Sequence, residues 1–201
     1  MGITERRERE REEVRRKILD SARELFALEG YDRVTMRGIA DSIEYSPTTI
    51  YNHFEDKDDL VRALCQEDFS ELLAVVQQQT WPNDPVEAIR RLGQVYVQFG
   101  LTHPNHYRFM FMTPHGDPQE KAPAGEQTFG VLRAFVDNAV AAGRLRDVPR
   151  DAICQVLWAT VHGLTALLVT YGDNFPCVPP VPDLVDQALD NSLRGFLRTE
   201  G

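Results

Sequence analysis

The chain has 201 residues, 42% hydrophobic and 26% charged, an ordinary globular balance that fits one or two compact domains. With 22 Lys and Arg against 31 Asp and Glu the formal charge is −9, which excludes a protein that coats nucleic acid through bulk basicity. Any contact with nucleic acid has to be local. The opening MGITERRERE lacks the apolar stretch of a secretory signal, and the apolar run from Val156 to Tyr171 is interrupted by Thr160, His162 and Gly163 and falls short of a membrane span. The expectation is a cytoplasmic chain with no membrane partner. Cys65, Cys154 and Cys177 are too widely spaced for a zinc site or a disulfide framework and read as reduced thiols.

Helical signals recur along the whole chain and no segment alternates as a strand does, so the expected fold is all-α. From Glu5 to Lys17, Arg and Glu interleave at spacings of three and four, the pattern of a solvated helix face. The segment continues into an apolar stripe of Val14, Ile18, Ala22, Leu25 and Phe26, and Gly30 supplies a stop. Thr35 is a good N-cap for a short second helix burying Ile39, Ala40 and Ile43. Ser46-Pro47 opens a third, with Ile50 and Phe54 four apart on one face. Acidic residues at Asp56–Asp59 suit the start of a fourth, running from Asp58 to Gln78.

Trp81-Pro82-Asn83 breaks the chain, and Asp84-Pro85-Val86-Glu87 restarts it with a cap, a first-turn proline and an acidic third position. A fifth helix to about Thr102 and a short sixth after His103-Pro104 are expected, then a Pro/Gly-containing loop from Thr113 to Gly125. Further helices are predicted over roughly 126–142, 149–171 and 182–198.

The second and third helices are short and closely joined, the outline of a helix-turn-helix whose later helix enters the major groove. In SPTTIYNHF, Ile50 and Phe54 face inward while Thr48, Thr49, Asn52 and His53 face out with Tyr51 between them. Hydroxyls, an amide, a phenol and an imidazole all bond to phosphate oxygens or base edges. An ordinary solvated face carries Lys and Glu, and this one carries no full charge. Arg37 and Lys57 stand at the edges of the same unit as candidate backbone contacts.

At these residues the sequence resembles the TetR family of bacterial transcriptional regulators. The resemblance runs through LFALEGYDRVTM, RGIADSI and SPTTIYNHFEDKDDLVRAL, and Thr49, Ile50, Tyr51, Asn52, His53 and Phe54 meet the family pattern with Lys57 at the family's lysine. It implies DNA contacts by Thr48, Thr49, Tyr51, Asn52 and His53 on the recognition helix. Thr35, Arg37 and Ser46 are implied contacts before and at its start, and Lys57 a phosphate contact. The family usually has Gly in the turn where this chain has Glu44. A left-handed non-Gly residue costs roughly 1–2 kcal/mol, so the turn is expected to be either strained or differently shaped.

Residues 1–60 carry 11 Lys and Arg against 15 Asp and Glu, a net of −4. Within 1–17, seven cations face five glutamates, and two readings stand for this arm: a track along the DNA backbone, or a salt-bridged solvated extension. The sequence places a DNA-binding domain at 1–57 and an effector-binding and dimerisation domain at 58–201.

Trp158 to Gly163, with HPNHYRFMF upstream, is similar to a TetR subgroup marked by a Trp-His-Gly signature, although Val161 interrupts it. This resemblance implies a cavity for a small, largely apolar or aromatic effector and a homodimer formed through the last two helices. Candidate walls are Tyr96, Phe99, Tyr107, Phe109, Met110, Phe111, Phe129 and Trp158, residue types that at helical spacing more often form plain core, with His162 either a polar anchor or a core histidine. The penultimate helix is apolar on nearly every side and needs cover beyond its own chain. His103 and His106, with His115 nearby, stand at a spacing open to metal or haem, but no Cys or acidic ligand accompanies them at a recognisable interval, and no cofactor is assigned. The implied output is a dimeric repressor reading a palindromic double-stranded operator, with the fourth helix as lever. No nucleophile elbow, P-loop or zinc-hydrolase motif supports an enzyme. A helical small-ligand carrier or sensor with weak or no DNA binding is the other reading, argued by the acidic first domain and Glu44.

Overall fold

The computed structural model describes residues 2–113, 123–176 and 180–198. It contains α1 (Ile3–Glu29), α2 (Met36–Ser42), α3 (Pro47–Tyr51), α4 (Lys57–Gln77), α5 (Pro85–Thr102), α6 (Pro104–Met112), α7 (Pro123–Ala141), α8 (Arg150–Tyr171) and α9 (Val181–Arg194). Single 3₁₀ turns lie at Tyr31–Arg33 and Gly172–Asn174. The described residues hold no strand, only an isolated bridge between Leu145 and Leu197, and the all-α expectation holds.

Several ends form as the sequence dictates. Thr35 Oγ1 accepts from Gly38 N at 3.0 Å, Ser46 Oγ accepts from Thr49 N at 3.2 Å, and Asp84 Oδ1 accepts from Val86 N at 2.8 Å and Glu87 N at 3.2 Å. Each satisfies amides that the first helical turn leaves without partners. Gly30 takes φ 82° with ψ 161°, a positive-φ conformation open to glycine but different from the left-handed cap the sequence suggests. Three expected bounds shift. The recognition helix proper ends at Tyr51, with Asn52 and His53 in the turn after it; α7 begins at Pro123, where Pro suits a first turn; and α9 stops at Arg194 before Gly195.

The chain divides into two compact units, Met1–Asp68 with Asn105–Ala122, and Phe69–Pro104 with Pro123–Gly201. The first is built around Ile18, Leu19, Ala22, Phe26, Ile39, Ile50, Phe54, Leu60 and Leu64, and Phe109 of α6 joins this core by stacking on Phe26 with ring centroids 5.5 Å apart. Phe109, a candidate cavity wall from sequence, is therefore core of the first unit. A charged centre is buried beside this core. The Arg23 guanidinium, whose side chain is 7% exposed, donates to Asp68 Oδ1 at 2.8 Å and also reaches Asp20 and Glu67. Asp68 is fully buried. Burial works against the Arg23 charge, but Asp68, Asp20 and Glu67 outweigh it and hold its proton more firmly than usual.

In the second unit α5 packs against α7, α8 and α9. Gly93 lets α5 approach closely: a Cβ there would stand 2.7 Å from Leu189 Cδ2 and 3.2 Å from Val161 Cγ1. With its 3₁₀ extension, α8 is by length and composition apolar enough to cross a membrane, a correction to the expectation drawn from 156–171 alone. Here Ile153, Leu157, Val161, Leu168 and Val169 are buried, while Val156, Leu167 and Tyr171 are about half exposed.

Candidate nucleic-acid interface

Ile50 and Phe54 are buried and anchor α3, which turns the intervening side chains outward. Thr48, Tyr51 and Asn52 are exposed, Tyr51 to 55%, and Thr49 and His53 are half-buried. Ser46 Oγ and Thr49 Oγ1 lie 3.0 Å apart, so the cap and the first turn share one hydroxyl pair.

The turn before α3 carries Glu44 at φ 59°, among the described residues the one non-glycine with positive φ. The turn therefore keeps the left-handed shape that glycine takes without cost, and bears about 1–2 kcal/mol of strain. Tyr45 N still donates to Ala40 O at 2.9 Å, closing the turn.

Arg37 is 82% exposed and 3.9 Å from Asp41 Oδ2, a loose pairing that leaves the guanidinium available. Lys57 differs. Its ammonium donates to Tyr31 O and lies 3.8 Å from the centre of the Tyr31 ring, so one of its three donors is already occupied. The Tyr31 hydroxyl in turn donates to Asp58 Oδ1 at 2.5 Å, and that bond, aided by burial and neighbouring carboxylates, raises the phenol to about 12. His53 is pushed below the ordinary histidine range, first by burial and then by Arg11 and Arg15, opposed by Glu12, and offers a neutral imidazole at neutral pH.

In the second unit four of the effector candidates adjoin one another. Tyr96 Oη and His162 Nδ1 lie 3.2 Å apart, His162 and Trp158 rings are 5.4 Å apart, and Phe129 meets Trp158 edge to face at 6.3 Å. Burial lowers the His162 proton affinity. Phe99 stacks on His103 at 4.8 Å and borders a cleft of about 520 Å³ in which Arg91, Gln94 and Gln98 of α5 face Val181, Val185 and Asp186 of α9. Tyr107, fully buried, and Phe111, 5.0 Å from it, belong to the first unit. His103 Nε2 is 3.6 Å from Glu71 and His106 Nδ1 is 3.3 Å from Asp68; among the described residues no group of three or more His, Cys, Asp or Glu is placed to hold a metal. Burial, with Asp68 nearby, pushes the Cys65 thiol up to about 12, and burial also raises Cys154, so neither is poised as a reactive thiolate. Cys177 and His115 lie outside the described residues.

Sequence reasoning missed the cleft and the Arg23 centre. Polar residues at Arg91, Gln94 and Gln98, three and four apart on one side of α5, are the signal that marks the cleft.

The model for bacterial regulatory proteins of the tetR family matches residues 18–64, and that for the tetracyclin repressor-like C-terminal domain matches 89–192, more than half of the chain. The chain belongs to the TetR family. It is a transcription regulator with an N-terminal helix-turn-helix domain and a helical C-terminal domain. Among curated TetR relatives, the HTH-type transcriptional repressor Rv1474c of Mycobacterium tuberculosis is 45% identical over 184 residues, 89% of this chain and 94% of that protein. The HTH-type transcriptional repressor AcnR of Corynebacterium diphtheriae is 28% identical, over 89% of this chain and 92% of that one. A TetR family regulator from Marinobacter aquaeolei shares the fold with TM-score 0.79 at 19% identity, covering 95% of this chain and 100% of that one.

Proposed function

We propose that this TetR regulator is a repressor that binds a palindromic operator as a homodimer and is released by a small effector. The observation that carries the reading is the uncharged polar surface of α3, held outward over buried Ile50 and Phe54. Thr48, Thr49, Tyr51, Asn52 and His53 read the major groove, with Thr35, Arg37, Ser46 and Lys57 on the flanking backbone. Two such helices about 34–36 Å apart read two half-sites one helical turn apart. Names of relatives that include the word repressor support the direction of control.

Dimerisation uses α8 and α9. Ala152, Val156, Ala159, Gly163, Leu167 and Tyr171 recur at spacings of four and three, all exposed, and make a continuous apolar row with small residues at its middle. A two-fold copy covers such a row with itself. Tyr96, Phe99, Phe129, Trp158 and His162, on the segment resembling the Trp-His-Gly subgroup, are the effector contacts of this reading, and they suit a mainly apolar or aromatic compound with one polar group. A gene regulator works where the chromosome is, in the cytoplasm.

Footprinting on DNA upstream of the protein's own gene, with sedimentation to count subunits, tests the reading. Specific protection by a dimer is expected, and Arg37→Ala and Thr49→Ala are each expected to weaken it about tenfold without changing dimerisation, since a good groove contact is worth about 1–3 kcal/mol. A strict monomer, or operator affinity unchanged in both variants, overturns it. Tight binding of a small molecule with no DNA binding at low salt supports a carrier instead.

A further inference from the structure

The first sixty residues are acidic overall, so the cations that would hold a DNA backbone have to be concentrated. α1 concentrates them. It is one helix from Ile3 to Glu29, and residues 4–13 are all exposed. Side chains four apart lie on one face, which sorts the charges of this extension into rows. Glu5, Arg9, Glu13 and Lys17 alternate in sign, and Arg6 pairs with Glu10 at 2.7 Å. Arg7, Arg11 and Arg15 form a row of one sign, and among the described residues none of the three makes an ion pair. Like charges four apart work against a helix, and Glu10, Glu8 and Glu12, three residues from Arg7, Arg11 and Arg15, offset that repulsion without closing an ion pair on any of the three among the described residues.

The row also has a direction. Its next member is Leu19, fully buried in the first unit, so the arginines continue the side of α1 that packs onto the DNA-binding bundle. The Arg15 guanidinium lies 5.3 Å from the centre of the Phe54 ring, just beyond α3, and the Lys17 ammonium lies 5.9 Å from that of Tyr45, in the turn before it. Cations of α1 thus stand at both ends of the recognition helix.

We propose that Arg7, Arg11 and Arg15 are a phosphate-binding row that carries the DNA interface past α3 along the operator backbone. The proposal rests on the DNA-binding reading above. The three arginines recur about every 6 Å along the helix axis, and each releases counterions when it meets a phosphate. The row adds affinity without sequence preference. The electrostatic influence of Arg11 and Arg15 on His53 agrees with this placement.

The test compares four full-length proteins on the footprinted operator and on an unrelated duplex over a salt series: wild type, Arg7→Gln/Arg11→Gln, the charge-preserving Arg7→Lys/Arg11→Lys, and Arg6→Gln/Arg9→Gln, which removes the same charge from other faces. Each cation removed from a phosphate lowers the slope of log affinity against log salt by about 0.9. The row variant, with two phosphates per subunit left unneutralised, is expected to lose about 3–4 from the slope and at least about tenfold in affinity on both duplexes. The control keeps the wild-type slope, and Arg7→Lys/Arg11→Lys, which preserves charge, restores it. Equal slopes in row variant and wild type, or equal losses in row variant and control, overturn the row while leaving the regulator intact. A wild type that binds neither duplex at low salt overturns the regulator reading itself.

Discussion

The two compact units solve opposite problems. The first assembles around helices as short as the seven residues of α2 and the five of α3, far below the length at which a helix holds its own shape in water. Its order comes from caps at Thr35 and Ser46, from inward Ile39 and Ile50, and from the buried Arg23–Asp68 contact. The second relies on helices of 14 to 22 residues with apolar interfaces. In each, the exception to its own surface points to a partner. The acidic first unit presents an uncharged polar helix, and the second leaves an apolar row of α8 in the open. A surface that contradicts the chemistry of its own unit says more about function than the size of any one contact.

Three substitutions sharpen that contrast. Asp68→Ala strikes the charged centre of the first unit and strands Arg23 with only its more exposed partners Asp20 and Glu67. Breaking a buried pair costs about 3–5 kcal/mol, and a loss near 3 kcal/mol is expected in urea unfolding; a loss below 1 would show that the Arg23–Asp68 contact contributes little to this unit. Gly93→Ala strikes the second unit where α5 meets α9. The new methyl group presses on Leu189 and Val161, and about 1–3 kcal/mol of overpacking is expected, read as a lower Tm. An unchanged Tm would mean that Leu189 moves freely aside. Glu44→Gly is the smallest and runs the other way, a gain of about 1 kcal/mol as the left-handed turn loses its strain against the added freedom of the unfolded glycine. A lower Tm there would locate a stabilising role in the Glu44 side chain.

What can be read from the chain is local. Thr35, Ser46 and Asp84 announce helix starts because a cap depends on residues within three positions. The apolar stripes of α1 to α3 follow from helical period, and Glu44 stands out through the family resemblance, which implies Gly in its turn. Hidden features depend on contacts between distant positions. Nothing in HPNHYRFMF says that Phe109 stacks on Phe26, eighty-three residues earlier. Lys57 has the composition of a free cation, and only the fold reveals that Tyr31 engages it. Arg23 sits four residues after Leu19 on a buried face, a misfit detectable from spacing, but its partner Asp68 lies forty-five residues away. The effector candidates share this weakness, since aromatic periodicity alone does not distinguish a wall from a core.

The Phe26–Phe109 stack has a practical meaning for anyone dissecting this regulator. A fragment trimmed after Asp68 keeps α1 to α3 yet bares the Phe26 face on which Phe109 stacks. The first compact unit is built from two separate stretches of chain, so a soluble minimal version is expected to need α6 grafted back or that aromatic face redesigned.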